Sequence, residues 1–84
     1  MINYDPFWIT MKEQKVTQYQ LIYYWNISSN TIRRMKRNEP ISTTTLNELC
    51  LILNCPVDKI LTFSATNEEL ALLEQRKSKS RLKL

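Results

Sequence analysis

There is no glycine in these 84 residues. A chain without glycine has no residue that enters the left-handed backbone region free of a steric penalty. Its turns must be built from Asn, Pro or Ser, which suits short connections between helices better than tight hairpins. Hydrophobic residues make up 43% of the chain, enough for one core in one small domain.

Helix signals recur along the chain at short intervals. Asp5 before Pro6 opens the first helix, with Asp as cap and Pro at the first helical position. This helix runs to about Gln14, with Phe7, Trp8 and Met11 as its inner side. Thr17 with Gln20 forms a Thr-x-x-Gln capping box for a second helix, in which Leu21 and Trp25 face inward beside Tyr24, and Tyr19 and Tyr23 point outward. Asn26 ends that helix by visiting the left-handed region, Ile27 turns inward, and Ser28 caps a third helix with Ile32 and Met35 beneath it. The third helix ends near Asn38, ahead of Pro40. Ser42 or Thr43 caps a fourth, whose Leu46, Leu49, Cys50 and Leu53 repeat at helical spacing. Pro56 begins a short fifth, with Val57, Ile60 and Leu61 inside and Phe63 closing it. The expectation is an all-α, compact five-helix bundle over residues 1–63. Residues 64–84 follow as a basic C-terminal extension: Thr66 and Glu69 form another capping box, a sixth helix covers 67–77, and disorder is expected beyond Lys77.

The net charge is +4, and it is concentrated. Arg33, Arg34, Lys36 and Arg37 form one cluster and Arg76, Lys77, Lys79, Arg81 and Lys83 another; the three remaining bases face all eight acids, so the rest of the chain carries −5. Positive charge gathered on a net-acidic body points to a localised polyanion-binding surface, against the plainer reading of solvated faces. Two cysteines, Cys50 and Cys55, and no histidine leave no protein-only four-ligand zinc site, so no metal or other cofactor is expected. The longest apolar run, Leu49 to Leu53, is too short to span a membrane, and no basic-then-apolar leader opens the chain, so a cytoplasmic location is expected.

The segment from Thr17 to Arg37 joins these threads. Two short helices are separated by a three-residue break, and the second carries Asn30, Arg33, Arg34 and Arg37 outward. That is the outline of a DNA-reading helix-turn-helix. The fuller pattern is Thr17-Gln18-x-x-Leu21, Asn26-Ile27-Ser28-x-x-Thr31-Ile32, Leu46-x-x-Leu49-Cys50-x-x-Leu53-Asn54 and Asp58-x-Ile60-Leu61. It resembles the Cro/repressor-type (XRE-like) helix-turn-helix family over about residues 4–63, and the opening Tyr4-Asp5-Pro6-Phe7-Trp8 looks like a branch of small stand-alone regulators. The resemblance implies a lambda-repressor-like bundle whose second and third helices bind operator DNA, often as a homodimer and often repressing transcription. Asn26 stands where the family has a turn glycine, a tolerable exchange; Ile22 stands where it has a small residue, which implies a shifted helix crossing or a compensating gap; Trp25 is also bulky for its place.

Residues near the start of a helix inserted in the major groove reach base edges best, and Asn and Arg can bind adenine and guanine bidentately. By match to the family motif, Ser28, Ser29, Asn30 and Arg34 are the candidates for base contacts, with Arg33 beside them; Ser28 is also readable as a helix cap alone. Thr17, Gln18, Tyr19, Lys36 and Arg37 are candidates for phosphate contacts, Gln18 by the family's habit. The outward pair Tyr19 and Tyr23 fits either a partner interface or an ordinary surface. Phe63, Leu70 and Leu73 are candidate contacts to a second copy, although Leu70 and Leu73 could instead dock on the bundle. The bases from Arg76 onward could track a phosphate backbone or enter a minor groove.

An enzyme is not indicated, because there is no histidine, no glycine-rich phosphate loop and no nucleophile–base pair. Neither a membrane partner nor a small-molecule ligand is indicated. The rival reading is a protein-interaction module, or an antitoxin or phage-type switch partner, that keeps the helix-turn-helix fold.

Overall fold

The computed structural model describes residues 1–80, with side chains for residues 1–77. Its elements follow the local capping chemistry closely. Helix α1 is Asp5–Gln14, α2 is Gln18–Tyr23, α3 is Ser29–Lys36 and α4 is Thr43–Leu53. A single 3-10 turn, Val57–Lys59, stands where a fifth bundle helix was expected. Only Ile60, directly after it, is completely buried there, and Val57 is exposed. Helix α5, Asn67–Ser80, ends the described chain and continues past the expected stop at Lys77. Of the basic extension, Arg81 and Lys83 lie outside the described residues, as does the side chain of Lys79.

The N-caps do what their residue types dictate. Thr17 Oγ1 accepts the Gln20 N–H at 3.1 Å while Gln20 Oε1 accepts the Thr17 N–H at 2.9 Å. Thr66 and Glu69 repeat this reciprocal box at 3.0 Å in both directions. Ser28 accepts the Asn30 N–H at 3.1 Å, and Ser42, not Thr43, accepts the Thr45 N–H at 3.1 Å. Such a cap is worth about 1 kcal/mol. At α1 the expected cap is displaced: Tyr4 is the N-cap residue, and Asn3 Oδ1 takes the Asp5 N–H at 3.0 Å.

The C-termini show how a chain without glycine closes its helices. Lys15, Asn26, Asn38 and Asn54 all have φ between 49° and 58°. Three of these four ends make the paired bonds of a Schellman motif. After α1, Lys15 N–H reaches the Lys12 carbonyl and Val16 N–H the Met11 carbonyl. After α3, Asn38 N–H reaches Met35 and Glu39 N–H reaches Arg34; after α4, Asn54 reaches Leu51 and Cys55 reaches Cys50. Asparagine tolerates this conformation through its short polar side chain, whereas lysine has no such excuse.

The core is Tyr4, Phe7 and Met11 from the first segment, Leu21, Ile27, Ile32 and Met35 from the helix pair, and Leu49, Leu53 and Ile60 from the last third. Each large side chain buried here stabilises the fold by roughly 1.5–3 kcal/mol. Helix α1 is the spine. Its Thr10 hydroxyl donates to the Lys59 carbonyl at 2.9 Å, and Gln14 Nε2 donates to the Leu53 carbonyl at 2.7 Å. Two aromatics do not follow the expected wheel. Because α2 stops at Tyr23, Tyr24 and Trp25 lie beyond its last turn, and they are 68% and 42% exposed. Trp8 does pack against the core, half-buried, with its ring edge-on to Phe7 at 4.8 Å.

A small ribbon was not foreseen. Strand β1, Ile2–Asn3, pairs antiparallel with β2, Thr62–Phe63, so that Ile2 faces Phe63. The ribbon brings the Met1 amino group onto the Ser64 carbonyl and within 2.8 Å of Glu69 Oε1. Beyond this clasp α5 projects from the bundle. All its described side chains are exposed, and the molecule measures 49 × 21 × 20 Å. Leu70 and Leu73 therefore do not dock on the bundle; they are 52% and 57% exposed, and Phe63 is 65% exposed.

Candidate nucleic-acid interface

Helix α3 is held on one side and open on the other. Ile32 and Met35 sit in the core at 3% and 0% exposure, which fixes the rotation of the helix about its axis. Residues two positions before and one or two after Ile32 must then face out: Asn30, Arg33 and Arg34 are all exposed, as are Ser28, Ser29, Lys36 and Arg37. The turn into α3 is tight. Trp25 N–H reaches the Gln20 carbonyl at 3.3 Å, Asn26 takes the left-handed conformation, and Ile27 N–H reaches the Leu21 carbonyl at 2.9 Å. Ile27 is then buried, and Ser28 is left extended as the cap.

The surface so built is basic. Among the described residues Arg33, Arg34 and Lys36 have no carboxylate within ion-pair distance, whereas Arg37 Nη1 lies 3.6 Å from Glu39 Oε2. Exposed pairs of this kind are worth little, so Arg37 can exchange Glu39 for another anion at small cost. Ser28's oxygen is engaged as cap, yet its hydroxyl hydrogen remains able to donate. On α2, Thr17 is likewise engaged by its capping box, Gln18 is exposed, and the rings of Tyr19 and Tyr23 lie 4.6 Å apart on the surface. An exposed aromatic ridge of Tyr19, Tyr23, Tyr24 and Trp25 thus runs along α2 and into the turn before α3.

Tyr4 and Asn38, to which the sequence assigns no part in this surface, support it from behind. Tyr4, 3% exposed, donates its phenol O–H to the Glu39 carbonyl at 2.8 Å and its N–H to Asn38 Oδ1 at 3.1 Å. Burial pushes the Tyr4 phenol's pKa up, opposed by the backbone at Ile41, so the phenol remains a donor at neutral pH. No short-range sequence pattern joins partners 34 and 35 residues apart; only the tertiary fold brings them together.

A model described as the Cro/C1-type HTH DNA-binding domain matches residues 7–66. The chain belongs to that family. As a Cro/C1-type domain it is a DNA-binding helix-turn-helix, and α2 and α3 are the pair that names the motif. Its fold is also similar to that in the crystal structure of the transcriptional regulator VanUg, form II, with a TM-score of 0.67 at 24% identity over 73% of this chain and 81% of that one. Comparison with curated proteins finds no significant match.

Among the described residues the surface holds no metal-binding cluster: no three His, Cys, Asp or Glu side chains converge on a metal-sized space. Burial, with the neighbouring Cys50, holds the Cys55 thiol above its ordinary pKa, which keeps it protonated and a poor nucleophile. No described helix is long and apolar enough to cross a membrane.

Proposed function

We propose that this Cro/C1-type domain is a sequence-specific transcriptional regulator, a repressor, that reads the major groove of double-stranded operator DNA with α3. One observation carries the reading: Asn30, Arg33 and Arg34 are exposed together on a helix whose opposite side is locked into the core. Ser28, Ser29, Asn30, Arg33 and Arg34 meet base edges, while Thr17, Gln18, Tyr19, Lys36 and Arg37 meet phosphate and set the register. A similar fold in a protein described as a transcriptional regulator supports the same reading. Residues 1–63 form the DNA-binding unit. Residues 64–84 form an extension, and its exposed Leu70 and Leu73, with Phe63, join two copies into a homodimer. Repression follows most simply from a small operator-bound dimer that blocks access to the duplex it covers.

The test is selection of duplexes from a random pool, repeated with Arg34→Ala. The wild type enriches a motif, and the variant loses preference at one or two base pairs, a discrimination of roughly 1–3 kcal/mol for a bidentate contact. An unchanged motif in the variant removes Arg34 from the base readers. Equal, feeble retention of all duplexes by the wild type removes the whole reading.

A second reading, a protein-interaction module, is favoured by the exposure of Tyr24 and Trp25, since exposed aromatics are enriched at interfaces. It takes precedence if Arg33→Ala and Arg34→Ala leave the in-cell phenotype intact while Tyr24→Ala abolishes it.

A further inference from the structure

Helix α3 is only eight residues long, and its two ends are held by different means. The entry end is fixed by the turn through Asn26 and Ile27 and by the Ser28 cap. The exit end is closed by Asn38, left-handed at φ 57°, with the Glu39 N–H on the Arg34 carbonyl at 2.9 Å and the Asn38 N–H on the Met35 carbonyl at 3.2 Å. Those bonds finish the helix, but they do not attach its end to anything else. Tyr4 makes that attachment, through its N–H to the Asn38 side chain and its phenol to the Glu39 carbonyl. Tyr4 is in turn fixed to α1 as its N-cap, its carbonyl accepting the Phe7 N–H at 3.0 Å and the Trp8 N–H at 3.4 Å.

We infer that Tyr4 is a positioning residue for DNA reading: it ties the exit of α3 to the entry of α1 and so sets the angle at which α3 is presented to the duplex. The inference rests on the proposed reading of DNA by α3. Arg33 and Arg34 are long side chains on the exit half of that helix. A small swing of the exit moves their guanidinium groups by more than the fraction of an ångström that a bidentate contact tolerates. Phosphate contacts made by flexible lysine and arginine side chains tolerate the same swing. The anchor therefore governs discrimination between duplexes more than it governs overall retention.

Tyr4→Phe removes only the phenol oxygen and keeps the buried ring. Asn38→Gly keeps the left-handed turn and removes the other contact. Both are compared with wild type at a temperature where all three are folded by circular dichroism. The probes are the duplex that the wild type enriches from a random pool and a scrambled duplex of equal length. A second readout is the backbone amide exchange of Asn38 and Glu39 by NMR. One lost hydrogen bond changes an equilibrium by roughly 2- to 12-fold. The expected result is faster exchange at Asn38 and Glu39 in Tyr4→Phe and at Glu39 in Asn38→Gly, and an enriched-to-scrambled affinity ratio lowered by about threefold to tenfold in both. Binding of the scrambled duplex and its salt dependence stay unchanged. If the ratio stays at the wild-type value in both variants, Tyr4 only stabilises the fold and the inference is overturned. If exchange is unaltered in both, the exit of α3 is not held by these contacts, and the inference is likewise overturned. If the wild type prefers no duplex, the DNA reading itself fails and takes the inference with it, and the wild-type arm alone reveals that case.

Discussion

Lys15 closes α1 in a conformation that costs an L-residue with a long side chain roughly 1–2 kcal/mol. Its φ and ψ are 58° and 38°, its side chain is exposed, and it makes no ion pair among the described residues. Lys15→Gly removes the steric cost and leaves both Schellman bonds in place, since these use backbone groups only. Glycine also gives the unfolded chain more freedom, which takes back about 0.5–1 kcal/mol. The net expectation is a gain of about 0.5–1 kcal/mol, which in a domain of this size raises Tm by roughly 2–8 °C. Lys15→Ala is the control: it keeps the Cβ and hence the strain, so it should stay within about 0.5 kcal/mol of wild type. Urea melts and thermal melts on the three proteins measure the difference, with an unchanged m-value as the check that the same surface unfolds. Asn38→Gly sharpens the contrast. The same backbone relief is there offset by loss of the acceptor for the Tyr4 N–H, so it should not stabilise. A Lys15→Gly protein no more stable than Lys15→Ala would refute the view that the left-handed turn after α1 is strained.

Three further outcomes follow from the packing and the clasp. Leu49→Ala, at a completely buried position on α4, should cost about 3–5 kcal/mol in urea melts; a loss below about 1 kcal/mol would mean the core is not the close-packed one described. The Glu69 carboxyl is held below its ordinary pKa, first by its hydrogen bond with the Met1 amino group and then by the Thr66 N–H. A lowered carboxylate pKa contributes stability that is present above the unfolded-state value and is lost as pH falls through the folded-state value. The ribbon and the start of α5 should therefore loosen as pH falls below the ordinary carboxylate range while the core stays intact, and Glu69→Gln should abolish that pH dependence when the amide signals of positions 64 and 69 are followed by NMR. Replacing Leu70 and Leu73 together by Asp should convert a dimer to a monomer by light scattering without lowering helix content; a wild-type chain that is already monomeric at high concentration would remove these leucines from any self-association.

What could be read in advance divides along physical lines. The caps at Thr17, Ser28 and Thr66 were legible, and that at Ser42 to within one residue, because a capping side chain bonds a backbone group only two or three residues away. The outward set Asn30, Arg33 and Arg34 was legible because Ile32 and Met35 fix the phase of a short helix. Tyr24 and Trp25 were misplaced for the converse reason: the wheel was carried past Tyr23, where α2 stops. The expected fifth bundle helix is one 3-10 turn: of its three apolar residues Ile60 is completely buried and Leu61 packs half-buried against the core, but Val57 faces solvent. Strands of two residues, Ile2–Asn3 and Thr62–Phe63, are too short to show alternation, and the Tyr4 anchor joins residues no local pattern relates. No propensity rule selects lysine for a left-handed turn, so Lys15 was not legible either.

The pairing of Ile2 with Phe63 has a bearing on the order in which the molecule assembles. Closing a loop that long is entropically unfavourable until other contacts have shortened it, whereas the caps and the helix pair need only neighbours. Ile60, three residues before Phe63, is itself a completely buried core residue. A chain that ended before Ile60 would therefore lack a core residue as well as the ribbon.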